Sequence, residues 1–358
     1  MKIVFLTGSL EPVKDGVGDY TRVLAGECAR LGHETSSLSL NDQWVMGSQM
    51  KPAELRLGAR MSWPERINAA RAFLARKGPE IVSLQFVPYS FHPAGLNFAL
   101  PQILRAIIGQ IPAQCMFHEI WIGSHKGAPL QVKVLGFCQR QTVLAMVKTL
   151  ACRTVHTSNF VYARLLARYG IEAKRLPLFG SVPVVATRNA PPRGDGTLSL
   201  GLFGSIHPEW NPGKMLAALR KLGRPIRLSH VGRIGPGESV WTDLSGRHQP
   251  EIEFRRLGEQ SLEDISRFFS SMDFGVATTP LSLIGKSASV AAMLDHGLPV
   301  IINRNDVHFR GIPEFAPKSE LLIPVDENFL NRVATVERQT PRPRLPEVAA
   351  QFLNDIGT

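Results

Sequence analysis

The sequence predicts an α/β protein with two doubly wound, parallel-sheet domains, and three observations carry that expectation. Apolar runs of strand length alternate with helical patterns through the first half; the alternation stops at "VPVVATRNAPPRGDGT", rich in Pro, Gly and Arg; it then restarts. Each half opens with a strand followed by a glycine turn. A length of 358 residues fits about two domains. The expected division is a first domain over 1–185, a linker over 186–197, a second domain over 198–325, and a tail with a crossing helix over 326–358.

Taken in order, "KIVFLT" reads as a buried strand leading through a glycine loop into the helix "DYTRVLAGECARLG". The segment "PERINAARAFLARKG" reads as a helix with Ile67, Ala70 and Leu74 on one face and Arg66, Arg71, Arg76 and Lys77 around the rest. It either packs on a sheet or lies on anionic lipid, and packing is the commoner use. "EIVSLQF", "QCMFHEI" and "RTVHTS" follow as strands separated by helices, and "NFVYARLLARYG" with the run "AKRLPLF" closes the half. Beyond the linker come "LSLGLFG", "IRLSHVG", "EIEFRRLG", "MDFGVATT" and "LPVIIN" as strands, interleaved with the helices "GKMLAALRKLG", "SLEDISRFFSSM" and "VAAMLDHG". "TPRPRLPEVAAQFLNDIG" is a proline-rich crossing segment and a last helix, read as contributing little to function.

Composition narrows the functional classes. At 44% apolar and 20% charged residues the chain is ordinary for a globular protein, and no apolar run approaches the roughly 20 residues of a spanning helix. The start "MKIVFLTGSLEP" is a strand pattern rather than a signal peptide, so a cytoplasmic location is expected. Cys28, Cys115, Cys138 and Cys152 lie far apart without C-x-x-C spacing, which indicates neither a zinc site nor a disulfide framework. Charge is asymmetric: residues 1–180 hold 21 Lys and Arg against 11 Asp and Glu, whereas the remainder holds 20 against 19. Such a basic half suits nucleic acid, an anionic membrane at its inner face, or a phosphate-bearing substrate. Without a zinc-finger spacing, an RNP-like aromatic motif or a GXXG clamp, nucleic acid is not expected as a partner.

The stretch "SLIGKSAS" places Gly285, Lys286 and Ser287 between a strand and a helix. A phosphate loop of the G-x-x-x-x-G-K-[ST] kind needs a glycine where Pro280 stands, so nucleotide hydrolysis by that route is not expected. Two readings remain for it. Free amides at the helix start together with Lys286 suit an anion, or Ser287 caps the helix and Lys286 is solvated. In the first half "MFHEIW" puts His118 and Glu119 at the carboxyl end of a strand, the usual place for a ligand in such sheets.

With these residues on the page, "DGVGDYTRVLAGECARLGHE" and "LGEQSLEDISRFFSSMDFGVATTPLSLIGKSASVAAMLDHGLPVI" resemble the two halves of retaining family 4 glycosyltransferases. The resemblance is best over residues 1–35 and 198–302. It implies the GT-B fold, two Rossmann-like domains facing across a cleft. It also implies a nucleotide-sugar donor held mainly by the second domain, a carbohydrate or lipid-linked acceptor held mainly by the first, and transfer with no cofactor and no bound metal. Gly16 and Gly18 would let backbone approach the donor closely. Ser205, Lys214, Gly232, Gly285, Lys286, Ser287 and Ser289 would surround it, with Lys286 answering the diphosphate charge. His118 resembles the family histidine near the transferred sugar, where an imidazole binds a hydroxyl or stabilises developing charge; Glu119 would orient it or meet the acceptor. Trp121 is open to stacking on a sugar or to an interior place. Two departures stand out. The family glutamates, eight positions apart, fall here at Ile284 and Ala292, and Ser205 stands where an Arg is usual. A GT-B protein that binds a nucleotide sugar without catalysis, or scaffolds a synthesis complex, is therefore the alternative.

Overall fold

The computed structural model describes residues 1–185, 196–248, 251–316 and 319–357. Most of the expected linker, 186–195, lies outside the described residues. Two compact units emerge: Met1–Pro177 with Phe309–Ile312 and Leu345–Thr358, and Leu178–His308 with Pro313–Arg344. The last helix, Leu345–Gly357, thus belongs to the first unit.

The first unit is built on an eight-stranded sheet: β1 (Lys2–Thr7), β2 (Glu34–Asp42), β3 (Ser48–Lys51), β4 (Glu54–Gly58), β5 (Ile81–Phe86), β6 (Ala113–Phe117), β7 (Thr154–Thr157) and β8 (Lys174–Arg175). Their order is β3-β4-β2-β1-β5-β6-β7-β8, and only β3 and β4 pair antiparallel. β1 is buried from Ile3 onward, as a central strand covered on both faces must be. β2, β3 and β4 escape the sequence reading because they lack an apolar run: Ser36, Ser37 and Ser39 of β2 are buried beside Leu38 and Leu40. Parallel pairing on both sides satisfies the β2 backbone, and the Ser39 hydroxyl donates to Asp42 Oδ2 at 3.3 Å.

The basic helix forms over Trp63–Lys77, opened by a reciprocal capping box between Ser62 and Glu65 and closed by Gly78 in the left-handed region at φ 55°. Arg66 does not join the solvated face predicted for it. It is buried, its Nη1 donates to Leu40 O and Asn41 Oδ1 at 2.9 Å each, and its guanidinium lies 3.9 Å from the Trp63 ring. Ala70, Phe73 and Leu74 are buried as well, so the apolar side of this helix is spent on the unit's own core rather than left for lipid. Among the described residues no helix is long and apolar enough to cross a membrane. The thiols of Cys115 and Cys152, distant in sequence, come within 3.1 Å as free cysteines.

The second unit carries an all-parallel six-stranded sheet: β9 (Leu198–Phe203), β10 (Ile226–Val231), β11 (Ile252–Gly258), β12 (Phe274–Ala277), β13 (Val300–Ile302) and β14 (Leu322–Pro324), in the order β11-β10-β9-β12-β13-β14. Alternation along β13 shows both faces covered, since Ile301 joins one core cluster and Val300 and Ile302 the other. The strand order switches beside β9, where β10 lies on one side and β12 on the other, and the carboxyl ends at such a switch are the usual place for a ligand.

Candidate functional site

The carboxyl ends of β9 and β10 bring three of the predicted donor residues together, Ser205, Gly232 and Ser289. Gly204 follows β9 at φ 75°, and a Cβ there would lie 3.3 Å from Ser289 Oγ. Gly232 follows β10 at φ 95°, and its Cβ would lie 3.3 Å from Gly204 N; a Cβ on Gly235 would lie 3.4 Å from Ser205 Oγ. Positive φ at 204 and 232 makes glycine the residue that turns the chain back from each strand end. Ser205, Gly232 and Ser289 are therefore neighbours.

Gly285 and Lys286 end a 3-10 turn, Leu281–Lys286, and both are half-buried. Ser287 caps the helix Ala288–Asp295 by accepting from Val290 N at 3.3 Å. The capping role holds for Ser287, so its hydroxyl lone pair is committed, while Lys286 is close enough to His207 to depress that imidazole. His207 is lowered first by burial and then by the Arg304 charge, with Lys286 adding to it. Lys214 is exposed in the first turn of helix Gly213–Arg220, and among the described residues no contact ties it to this group.

Arg304 is the residue sequence reasoning missed. It is 3% exposed, one residue beyond the strand "LPVIIN". Its Nη2 donates to Asp306 Oδ2 at 2.7 Å and Glu209 Oε2 at 3.0 Å, its Nε to Asp306 Oδ1 at 3.1 Å, and its Nη1 is buried without a partner. Its carbonyl accepts from Leu281 N at 2.8 Å, which ties it to the start of the 281–286 turn. The signal was there to use: the first charged residue after the carboxyl end of a buried strand.

The places of the absent glutamates are core. Ile284 is 5% exposed and Ala292 0%, and a Cβ on Gly180 would come 2.7 Å from Ala292 Cα. Backbone packed that closely leaves a longer side chain at 292 no room.

In the first unit the helix Gly16–Arg30 begins differently from the expectation. Asp15 caps it, Oδ1 accepting from Val17 N at 2.9 Å and Gly18 N at 2.7 Å. Two amides at the helix start are thus taken by a carboxylate of the chain itself rather than left for an anion. Burial raises the Asp15 pKa, opposed by those two bonds and helped by Asp19 and Asp42. At Gly18 a Cβ would strike Ser9 O at 2.7 Å, so the close approach it permits is by the protein's own backbone, whereas nothing lies within 4 Å of a Cβ at Gly16.

His118 follows β6, is 8% exposed, and hydrogen-bonds through Nε2 to Gln85 Oε1 at 2.9 Å, with the Tyr20 ring edge-on at 4.7 Å. Burial lowers its pKa to about 3, so it is a neutral imidazole at ordinary pH. Of the two roles weighed for it, binding a hydroxyl suits this state and a standing positive charge does not. Gln85, not Glu119, is the partner on its ring nitrogen; Glu119 is half-buried beside it in the chain. Trp121 takes its interior place, 6% exposed, with Nε1 donating to Ser124 Oγ at 2.8 Å. Among the described residues no group of three or more His, Cys, Asp and Glu is arranged to hold a metal ion.

Neither a family model nor a curated protein sequence matches the chain. Solved structures do. Alr3699/HepE of Anabaena in complex with UDP and glucose is 13% identical over 100% of both chains, with a TM-score of 0.62. The apo lipopolysaccharide outer core galactosyltransferase WaaB is 12% identical over 100% of this chain and 99% of that one, at 0.57. The catalytic domain of starch synthase IV from Arabidopsis thaliana, bound to ADP and acarbose, gives 12%, the same coverage and 0.57. At such identities the likeness speaks for architecture, and it shows two parallel-sheet α/β units of the GT-B fold.

Proposed function

We propose that this protein is a cytoplasmic glycosyltransferase that moves a hexosyl group from a nucleoside-diphosphate sugar to a carbohydrate or lipid-linked acceptor, with retention of configuration and without a metal ion. The observation that carries the reading is the meeting of Gly204, Gly232 and Ser289 at the carboxyl ends of parallel strands, beside Lys286. The Gly204 and Gly232 amides are already donated to Val231 O at 3.0 Å and Gly258 O at 2.7 Å, so the glycine turns supply room for a phosphate to approach, and the charge of Lys286 suits the leaving diphosphate. Arg304, its charge paired with Asp306 and Glu209, braces the same turn by accepting from Leu281 N through its carbonyl. Bound UDP in HepE and ADP in the starch synthase support a nucleoside diphosphate as the ligand class. The basic excess of residues 1–180 supports an acceptor that carries phosphate or sits at an anionic surface.

In the reaction so proposed, the acceptor hydroxyl oxygen bonds to the anomeric carbon as the bond from that carbon to the diphosphate oxygen breaks. The leaving diphosphate takes the hydroxyl proton from the same face. Neutral His118 accepts a hydrogen bond from a sugar hydroxyl, and the charge of Lys286 answers the departing diphosphate.

A second reading has its own observation: Ile284 and Ala292 are core residues, so the carboxylates the family uses at those places are absent. A protein that binds the nucleotide sugar without turnover follows from that. The test is thermal shift with a panel of nucleotides and nucleotide sugars, wild type against Lys286→Ala, followed by slow release of free nucleotide from the stabilising donor. Stabilisation lost in the variant, with hydrolysis, is the expected result. Stabilisation without hydrolysis favours the silent binder, and no stabilisation by any ligand removes the donor site.

A further inference from the structure

The first unit contains an unbroken line of buried hydrogen bonds that begins at His118 and ends at the last helix. His118 Nε2 meets Gln85 Oε1 at 2.9 Å; Gln85 Nε2 donates to Ser83 Oγ at 2.7 Å; Ser83 Oγ donates to Gln114 Oε1 at 2.6 Å. Gln114 Nε2 meets His156 Nδ1 at 3.0 Å, and His156 Nε2 meets Asp355 Oδ2 at 2.9 Å. Lys174 Nζ, half exposed, closes the far end on Asp355 Oδ1 at 2.8 Å. Ser83, Gln85, Gln114 and His156 are each at most 1% exposed. The line crosses β5, β6 and β7, where Ser83 and Gln114 are direct register partners.

Its direction follows from donor chemistry. An ionised carboxylate accepts only, so His156 carries its proton on Nε2 and is an acceptor at Nδ1. Gln114 must then turn its NH₂ to His156 and its oxygen to Ser83. Ser83 gives its hydroxyl proton to that oxygen and accepts from the Gln85 NH₂, which leaves the Gln85 oxygen facing His118. An amide oxygen has no proton to give, so Nε2 of His118 is the donor. Asp355 is suited to anchor such a line: burial works against its charge, but hydrogen bonds from Lys174 and His156 outweigh it and hold the carboxyl below its usual range.

We propose that this line is a positioning device for His118, in which acceptor-only Asp355 forces every donor to point the same way, so that the imidazole keeps its proton on Nε2 and offers Nδ1 as an acceptor to a sugar hydroxyl. Gln85, Ser83, Gln114, His156 and Asp355 are positioning residues in this scheme and touch no substrate. Among the described residues no hydrogen bond reaches His118 Nδ1. A purely structural network needs its groups satisfied but has no need of one tautomer at its end. The inference rests on the reading of His118 as a substrate-contacting group.

The experiment is long-range proton–nitrogen correlation of ¹⁵N-histidine-labelled full-length protein near neutral pH, with Ser83→Ala and Asp355→Asn. In wild type, both His118 and His156 are expected wholly as the Nε2–H form. Ser83→Ala should leave His156 unchanged and turn His118 into a mixture of tautomers; Asp355→Asn should disturb both. Where a stabilising donor is turned over, kcat should fall by roughly tenfold while the donor KM stays within about twofold. Ser83→Ala removes one oxygen, so it gives an answer even if Asp355→Asn fails to fold. An Nδ1–H form of His118 in wild type, or an unaltered His118 in both variants, overturns the proposal. If the tautomer shifts as expected but wild type turns over no nucleotide sugar, positioning is supported and the transfer reading alone fails.

Discussion

At Gly18 the absent side chain answers to the protein's own backbone, with Ser9 O at 2.7 Å from where a Cβ would stand, while two residues earlier Gly16 faces open space. Gly18→Ala is therefore expected to cost about 1–3 kcal/mol, the usual price of overpacking. Gly16→Ala should move stability by less than about 0.5 kcal/mol. Urea denaturation followed by circular dichroism compares them, and equal costs would show that the β1 loop does not press on the helix as described. Single residues also mark the limits of what the sequence discloses. His118 is legible because a strand pattern ends on it. Gln85 is not, because what matters about it is a partner distant in the chain, His118. Asp355 is the strongest case. It sits in a tail that reads as functionally silent, yet it ends the line of hydrogen bonds from His118.

At the scale of elements, the helix Ala288–Asp295 shows how a local pattern and a tertiary contact share one sequence. Ser287 is a cap by its sequence position and by its bond to Val290 N, so Ser287→Ala should cost about 1 kcal/mol. Ala292, a turn later, packs against Gly180. Replacing it with the glutamate usual in the resembling family, Ala292→Glu, is expected to destabilise the second unit by several kcal/mol, since it both overpacks and buries a charge without a partner. Thermal unfolding of the two variants checks the contrast; a stable Ala292→Glu protein with improved turnover would mean the helix can shift to admit the carboxylate. Of the strands that sequence reading finds, β1 is a nearly continuous apolar run, and β5 and β9 keep apolar residues at alternate positions. β2 is lost because its buried serines mimic a loop, and β14 because three residues carry no period.

At the scale of the whole molecule, acid should weaken both units through the same residue type. His118 and His156 in the first unit and His230 and His296 in the second are all buried, and burial lowers the pKa of every one. A histidine whose folded pKa lies below its ordinary value of 6.5 stays neutral in the fold but takes a proton when unfolded. Protons then favour the unfolded chain: the stabilisation is complete above pH 6.5 and is lost as pH falls through the window down to the folded pKa, which for His118 is about 3. Each such residue contributes a slope of up to about 1.4 kcal/mol per pH unit in that window. Asp15 and Asp19, whose pKa values are raised by burial, oppose this only near and above 3.8, the ordinary aspartate value. Urea unfolding between pH 7.5 and about 5 should therefore show falling stability in each unit. Tryptophan fluorescence follows Trp121 in the first unit and Trp210 and Trp241 in the second, all buried, so single-tryptophan variants separate the two transitions. Flat profiles in both would mean that the imidazoles are reached by water and not held neutral by the fold. A flat first unit alone would leave His118 free to charge, and a charged imidazole offers no acceptor to a sugar hydroxyl.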